Sequence, residues 1–158
     1  MTGITYLIPN LLGGSAMPDP DELGVWKKAG IECIMNLILE SYGSEILKKE
    51  REMGFDVYHF PIMDMSIPNN MKEMDDAVTW LKKQIEKKRK TVVHCFGGIG
   101  RTSTVLIGFL MSQGYSPEES FWRVSCMGIS PQSHAQLFFL NRYYSHIKKQ
   151  ENRDKSLF

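Results

Sequence analysis

The stretch that most constrains this chain runs from Thr91 to Gln113. Thr91, Val92 and Val93 form a short β-branched apolar run that reads as a strand. It leads directly into His94-Cys95-Phe96-Gly97-Gly98-Ile99-Gly100-Arg101, and then into the apolar, helix-length segment Thr102 to Gln113. The order is strand, tight loop, buried helix. A loop that wraps an anion must aim successive backbone N–H groups inward, and Gly97, Gly98 and Gly100 permit the dihedrals and close approach that this needs. The helix that follows adds the positive end of its dipole. A thiol held there, Cys95, is favoured as its thiolate, the form that acts as a nucleophile. Arg101 offers a planar fork for two equatorial phosphoryl oxygens and holds the phosphorus in line with the sulfur. It also answers the charge of the transition state. Thr102 or Ser103 is placed to hydrogen-bond the sulfur and improve it as a leaving group.

A proton must also reach the leaving oxygen, so an acid is expected from elsewhere in the chain. Asp64 is the candidate. It lies in Pro61-Ile62-Met63-Asp64-Met65-Ser66-Ile67-Pro68, directly after an expected strand at Val57 to Phe60, where a loop has access to the site.

The rest of the chain supplies a matching frame. Asp19, Pro20 and Glu22 fit N-cap, N1 and N3 of a helix that stops at Gly30. Ile31 to Leu39 reads as a buried strand, and Gly43 through the Lys/Glu-rich stretch to Gly54 as a helix. Asn70 caps a helix with Met71, Met74, Val78, Leu81 and Ile85 on one face, and Glu73 at the position that answers the cap. Two more helices are opened by Ser116-Pro117-x-Glu119 and near Ser130 to Ser133. Strands alternating with helices predict an α/β fold: a single domain over residues 1–158 with a central mixed sheet flanked by helices. Ligands in such sheets gather at the C-terminal ends of strands, where Cys95 sits.

Composition narrows the function further. Nineteen Lys and Arg against eighteen Asp and Glu leave a formal charge of +1, a balance that argues against nucleic acid or an anionic membrane as the main partner. Cys33, Cys95 and Cys126 are odd in number, and their spacing suits neither a disulfide framework nor a zinc site. No metal and no other cofactor is expected, and a reducing compartment is. The N-terminal thirty residues lack the pattern of a signal peptide, and the longest apolar run, Val105 to Met111, is far short of the ~20 residues of a membrane span. A soluble, cytoplasmic protein is the expectation.

Val93 through Thr102 resembles the phosphate loop of the protein tyrosine and dual-specificity phosphatases. It is most similar in its Gly-Gly-x-Gly-Arg form to compact archaeal members and to the cyclin-dependent-kinase-associated phosphatase. The resemblance extends from Gly13-Gly14-Ser15 through Pro61-Ile62-x-Asp64-x-x-x-Pro68 to Gln136-x-x-Phe139-Leu140. It implies two steps: Cys95 attacks phosphorus while Asp64 protonates the leaving oxygen, and water then hydrolyses the phosphocysteine with Asp64 as base. It implies that His94 supports the loop, and that Gln132 and Gln136 position the water, with Gln136 the better match. Met65-Ser66 replaces the Gly-Gly that often follows the acid, and the Arg-Pro-Gly-x-x-Gln pattern is absent around Cys126 to Pro131. Glu40 stands where archaeal relatives carry an acidic residue near the pocket, and is equally a strand-end surface residue.

The short chain, without an evident aromatic recognition loop, resembles the dual-specificity type. Phosphotyrosine on a protein or peptide is the implied substrate, with phosphoserine and phosphothreonine as further ones. Positions 96 to 100 carry no Lys or Arg, which argues against a polyanionic lipid head group. Two rivals stay open at this point: a non-catalytic phosphate-binding module, and a thiol redox or sulfur-transfer protein using the same cysteine.

Overall fold

The computed structural model describes residues 2–157. Five strands and six helices follow one another as β1 (Thr5–Ile8), β2 (Leu12–Ser15), α1 (Pro20–Lys28), β3 (Cys33–Asn36), α2 (Glu40–Glu52), β4 (Asp56–His59), α3 (Met71–Glu86), β5 (Thr91–His94), α4 (Gly100–Ser112), α5 (Pro117–Ser125) and α6 (His134–Ser156). The strands make one sheet in the order β1-β2-β5-β3-β4. β1 runs antiparallel to β2, and the other three pairings are parallel. This is the mixed α/β sheet that the alternation of elements predicts.

Side chains alternate across the sheet, as the two-residue strand period requires. Ile34 and Val92 join Leu23, Trp26, Ile46 and Phe55 in one core, beneath α1 and α2. Met35 and Val93 face the other way, into the larger core with α3, α4, α5 and α6. Within that core α4 is enclosed on all sides: every residue from Gly100 to Met111 is buried. An apolar sequence with polar groups only in its first five residues and at its last suits such a place.

Three expectations are revised. β1 and β2 form a hairpin where the sequence suggests no strands, because Gly13 and Gly14 lower strand propensity while the sheet gains from their smallness. The strand expected over Ile31 to Leu39 is regular only at Cys33–Asn36. α2 starts at Glu40, ahead of Gly43, which sits inside it with φ −140° as a kink. All four parallel strands end on the same side, so β5 and β3 deliver His94 and Asn36, paired in register, to one edge of the sheet.

Candidate active site

The segment between β5 and α4 closes into a loop around the Cys95 sulfur. Sγ accepts hydrogen bonds from the Gly98 N–H and the Thr102 hydroxyl, each at 3.2 Å. Two donors on a sulfur stabilise its anion. Gly98 has φ +73°, and a Cβ there would lie 2.5 Å from the Ala16 nitrogen and 2.7 Å from the Ser15 carbonyl oxygen. Only glycine meets both demands, the left-handed backbone and the contact with the end of β2. The loop is also tied to that chain by Met17 N–H donating to the Phe96 carbonyl at 3.0 Å. Of the two hydroxyls expected near the sulfur, Thr102 reaches it. Ser103 instead donates to the Gly100 carbonyl at 2.9 Å, within its own helix.

Arg101 lies in the first turn of α4 and is buried. Nη1 donates to the Ile62 carbonyl at 3.0 Å, and Nη2 lies 3.2 Å from Asp64 Oδ1. Nε is buried with no partner among the described residues. A buried guanidinium N–H without an acceptor is costly unless a ligand supplies one, and a phosphoryl oxygen is such an acceptor. Asp64 itself stands three-quarters exposed at the mouth, in a tight turn where Ser66 N–H donates to Met63 O and Met65 takes the left-handed φ +61°.

Cys95, Arg101, Asp64, Phe96, Gly97, Ile99, Gly100, Met65 and Gln132 together line a pocket of about 250 Å³. The two glutamines part company here. Gln132 lies against Gly100, where a Cβ would stand 2.7 Å from Gln132 Oε1. Gln136 is fully buried. Its Oε1 accepts from the Gln132 N–H at 2.7 Å, and its Nε2 donates to the Ser66 carbonyl at 3.2 Å. The resemblance favours Gln136 as the residue that holds water, yet its amide is occupied by backbone and Gln132 is the one that faces the pocket.

His94 points away from the pocket, into the core beneath α2. Its Nε2 is 2.7 Å from Glu50 Oε1, and its Nδ1 is 3.4 Å from the Cys95 carbonyl oxygen. Glu50 is wholly buried, and its second oxygen accepts from Asn36 Nδ2 at 3.0 Å. Asn36 Oδ1 in turn accepts from Ile38 N–H. Sequence reasoning missed Glu50. Its signal is an acidic residue at the i+4 position from Ile46, on the apolar side of a helix otherwise rich in surface charge. Tyr42 was missed too. With Ile38, Leu39, Met63 and Phe96 it walls an apolar hollow of about 370 Å³ that shares Asp64 and Arg101 with the pocket. Glu40, by contrast, is exposed and lines neither hollow.

Cys33 is buried and its thiol is pushed above the ordinary range, chiefly by that burial. Cys126 is exposed. Among the described residues, no group of three or more His, Cys, Asp or Glu is arranged to hold a metal ion, and no helix is long and apolar enough to cross a membrane.

Comparison with known proteins gives the same direction. The model of the polymorphic toxin system DSP-PTPase phosphatase family matches residues 13–115. The chain is 22% identical over 112 residues to the dual specificity protein phosphatase OPG106 of Monkeypox virus, covering 71% of this chain and 53% of that protein. It thus spans about half the length of this curated relative. Among solved structures, Tk-PTP in its active form superimposes with a TM-score of 0.83 at 23% identity, covering 90% of this chain and 97% of the other. Kinase associated phosphatase carrying a catalytic cysteine-to-serine substitution gives a TM-score of 0.79 at 22% identity, over 92% and 94% of the two chains. These two likenesses concern the fold.

Proposed function

Because this chain belongs to the polymorphic toxin system DSP-PTPase phosphatase family, we propose that residues 1–158 form one catalytic domain that hydrolyses phosphate monoesters through a phosphocysteine. Cys95 is the nucleophile. Its sulfur attacks phosphorus, the S–P bond forms and the P–O bond to the leaving group breaks. The leaving oxygen takes the proton of the Asp64 carboxyl. Water then attacks phosphorus and gives its proton to Asp64, and the electron pair of the S–P bond returns to sulfur as the thiolate, received by Gly98 N–H and Thr102. Arg101 and the other N–H groups of residues 96 to 101 bind the phosphoryl oxygens throughout. Gln132 faces the attacking water.

The observation that carries this reading is the unpartnered Nε of a buried Arg101 in the same pocket as a doubly hydrogen-bonded Cys95 sulfur. The apolar hollow walled by Tyr42, Phe96 and Met63 suits the ring of a phosphotyrosine in a protein or peptide of the cytoplasm better than a charged head group. Phosphoserine and phosphothreonine are shorter and gain less from it.

The test is hydrolysis of p-nitrophenyl phosphate with acid quenching, followed by a phosphopeptide panel. Turnover in the wild type, its loss in Cys95→Ser and Arg101→Ala, and a quenched phosphocysteine are expected. Phosphate binding without turnover in the wild type, or undiminished turnover in Cys95→Ser, overturns the reading.

A further inference from the structure

The turn that carries Asp64 is held from outside by three side chains. Arg101 Nη1 takes the Ile62 carbonyl at 3.0 Å, Ser133 Oγ donates to the Met65 carbonyl at 2.7 Å, and Gln136 Nε2 donates to the Ser66 carbonyl at 3.2 Å. Two of the three come from the first turn of α6 and its cap, nearly seventy residues further along the chain. They grip the part of the turn that most needs support, since Met65 is a non-glycine residue at φ +61°.

The gripping groups are themselves fixed. Ser133 is the N-cap of α6: its oxygen accepts from Gln136 N–H at 3.2 Å while its proton goes to Met65 O. Gln136 is fully buried, and its other amide atom accepts from Gln132 N–H. An oxygen facing an N–H and a nitrogen facing a carbonyl settle the orientation of that amide. All of its hydrogen-bonding on the turn side is spent on backbone.

We propose that Ser133 and Gln136 are positioning residues for the acid: the capped start of α6 is a strut that holds the Asp64 turn over the pocket ready for proton transfer. The inference rests on the role given to Asp64 above. A group held in place before substrate arrives loses nothing to reorganisation during the reaction. It also accounts for a turn that has Met65-Ser66 where glycines would have made it loose.

Two measurements test this. Hydrogen exchange over residues 62–67 reads the strut without reference to activity. The ratio of kcat/KM for p-nitrophenyl phosphate to that for phenyl phosphate reads proton delivery, because the poorer leaving group depends more on the acid. The variants are Gln136→Met, which keeps volume, and Ser133→Asp, which keeps the helix cap but has no proton to give. Both should exchange faster over 62–67 and lose phenyl phosphate hydrolysis at least tenfold more than p-nitrophenyl phosphate hydrolysis, as expected of a displaced general acid. Melting curves establish that each is folded. Unchanged exchange in both variants overturns the proposal. So does equal loss on the two esters, or accumulation of phosphocysteine in Gln136→Met but not in Ser133→Asp, which would give that amide to the water instead. A wild type inert to both esters would overturn the proposed function, and the exchange result would still decide the strut.

Discussion

Gly98 is the residue at which the loop leaves least choice. Its left-handed φ and the backbone of Ser15 and Ala16 packed against its α-carbon mean that Gly98→Ala must shift the loop away from β2. That removes the N–H from the Cys95 sulfur. Activity should fall at least a hundredfold in a p-nitrophenyl phosphate assay, in line with the loss of one preorganised donor, and the protein should lose more than about 1 kcal/mol in urea unfolding. Glu50 makes a different case. Glu50→Ala leaves His94 and Asn36 buried and without their acceptor, and each buried donor left unsatisfied costs about 1–3 kcal/mol. Urea titration should show that loss, with Glu50→Gln well short of it. The residues legible in the sequence, Cys95, Gly98 and Arg101, act within one stretch of seven. Glu50 and Gln136 act across gaps that only folding closes, and no local pattern announces such a partnership.

Helix starts are the elements that the sequence states most clearly, because a cap involves neighbours. Asp19 accepts from the N–H groups of Asp21 and Glu22, and Glu22 answers at the Asp19 N–H. Ser116 and Asn70 cap α5 and α3 as expected. Their reciprocal partners do not respond: Glu119 pairs with Arg123, and Glu73 accepts from Asn69. Asp19→Ala should therefore cost more than loss of a single bond, about 1 kcal/mol and a melting temperature lower by about 2–4 °C, read by calorimetry without change in activity. α2 shows why other boundaries are hidden. Leu39, at its N-cap, makes no side-chain bond, so the helix begins where tertiary packing places it. The β1–β2 hairpin is hidden for a related reason. Its turn uses Asn10 at φ +59°, and its inner strand holds two glycines because a Cβ would meet Ile4 and Tyr6 at Gly13 and Thr102 of α4 at Gly14.

Over the whole molecule, the side of the sheet that carries α4 also carries the main response to alkali. Tyr143 is fully buried, and burial, with its hydrogen bond to Asp75 at 2.8 Å, pushes its hydroxyl far above the ordinary range. Half-buried Tyr58 is raised as well, again mainly by burial. In the unfolded chain these groups ionise near pH ~10, while in the native state they keep their protons. The native state then binds more protons, so stability is full below about pH 10 and falls as pH rises beyond it. Urea midpoints measured at pH 9 and pH 11 should show this fall, and Tyr143→Phe should make it shallower. The α/β class and the strand-loop-helix centre were legible from periodicity and glycine placement. Which helices lie on which side of the sheet was not, since that is decided by how Trp26, Tyr143 and α4 share out the interior.

The buried α4 unites two duties usually kept apart. On the proposed function its leading turn receives the oxyanion, and its remaining length is the axis on which three other helices rest. Such a rod has no loose end to fray. On that same reading an oxyanion bound in the cradle stabilises the helix at the centre of the chain, and the melting temperature should rise with inorganic phosphate concentration.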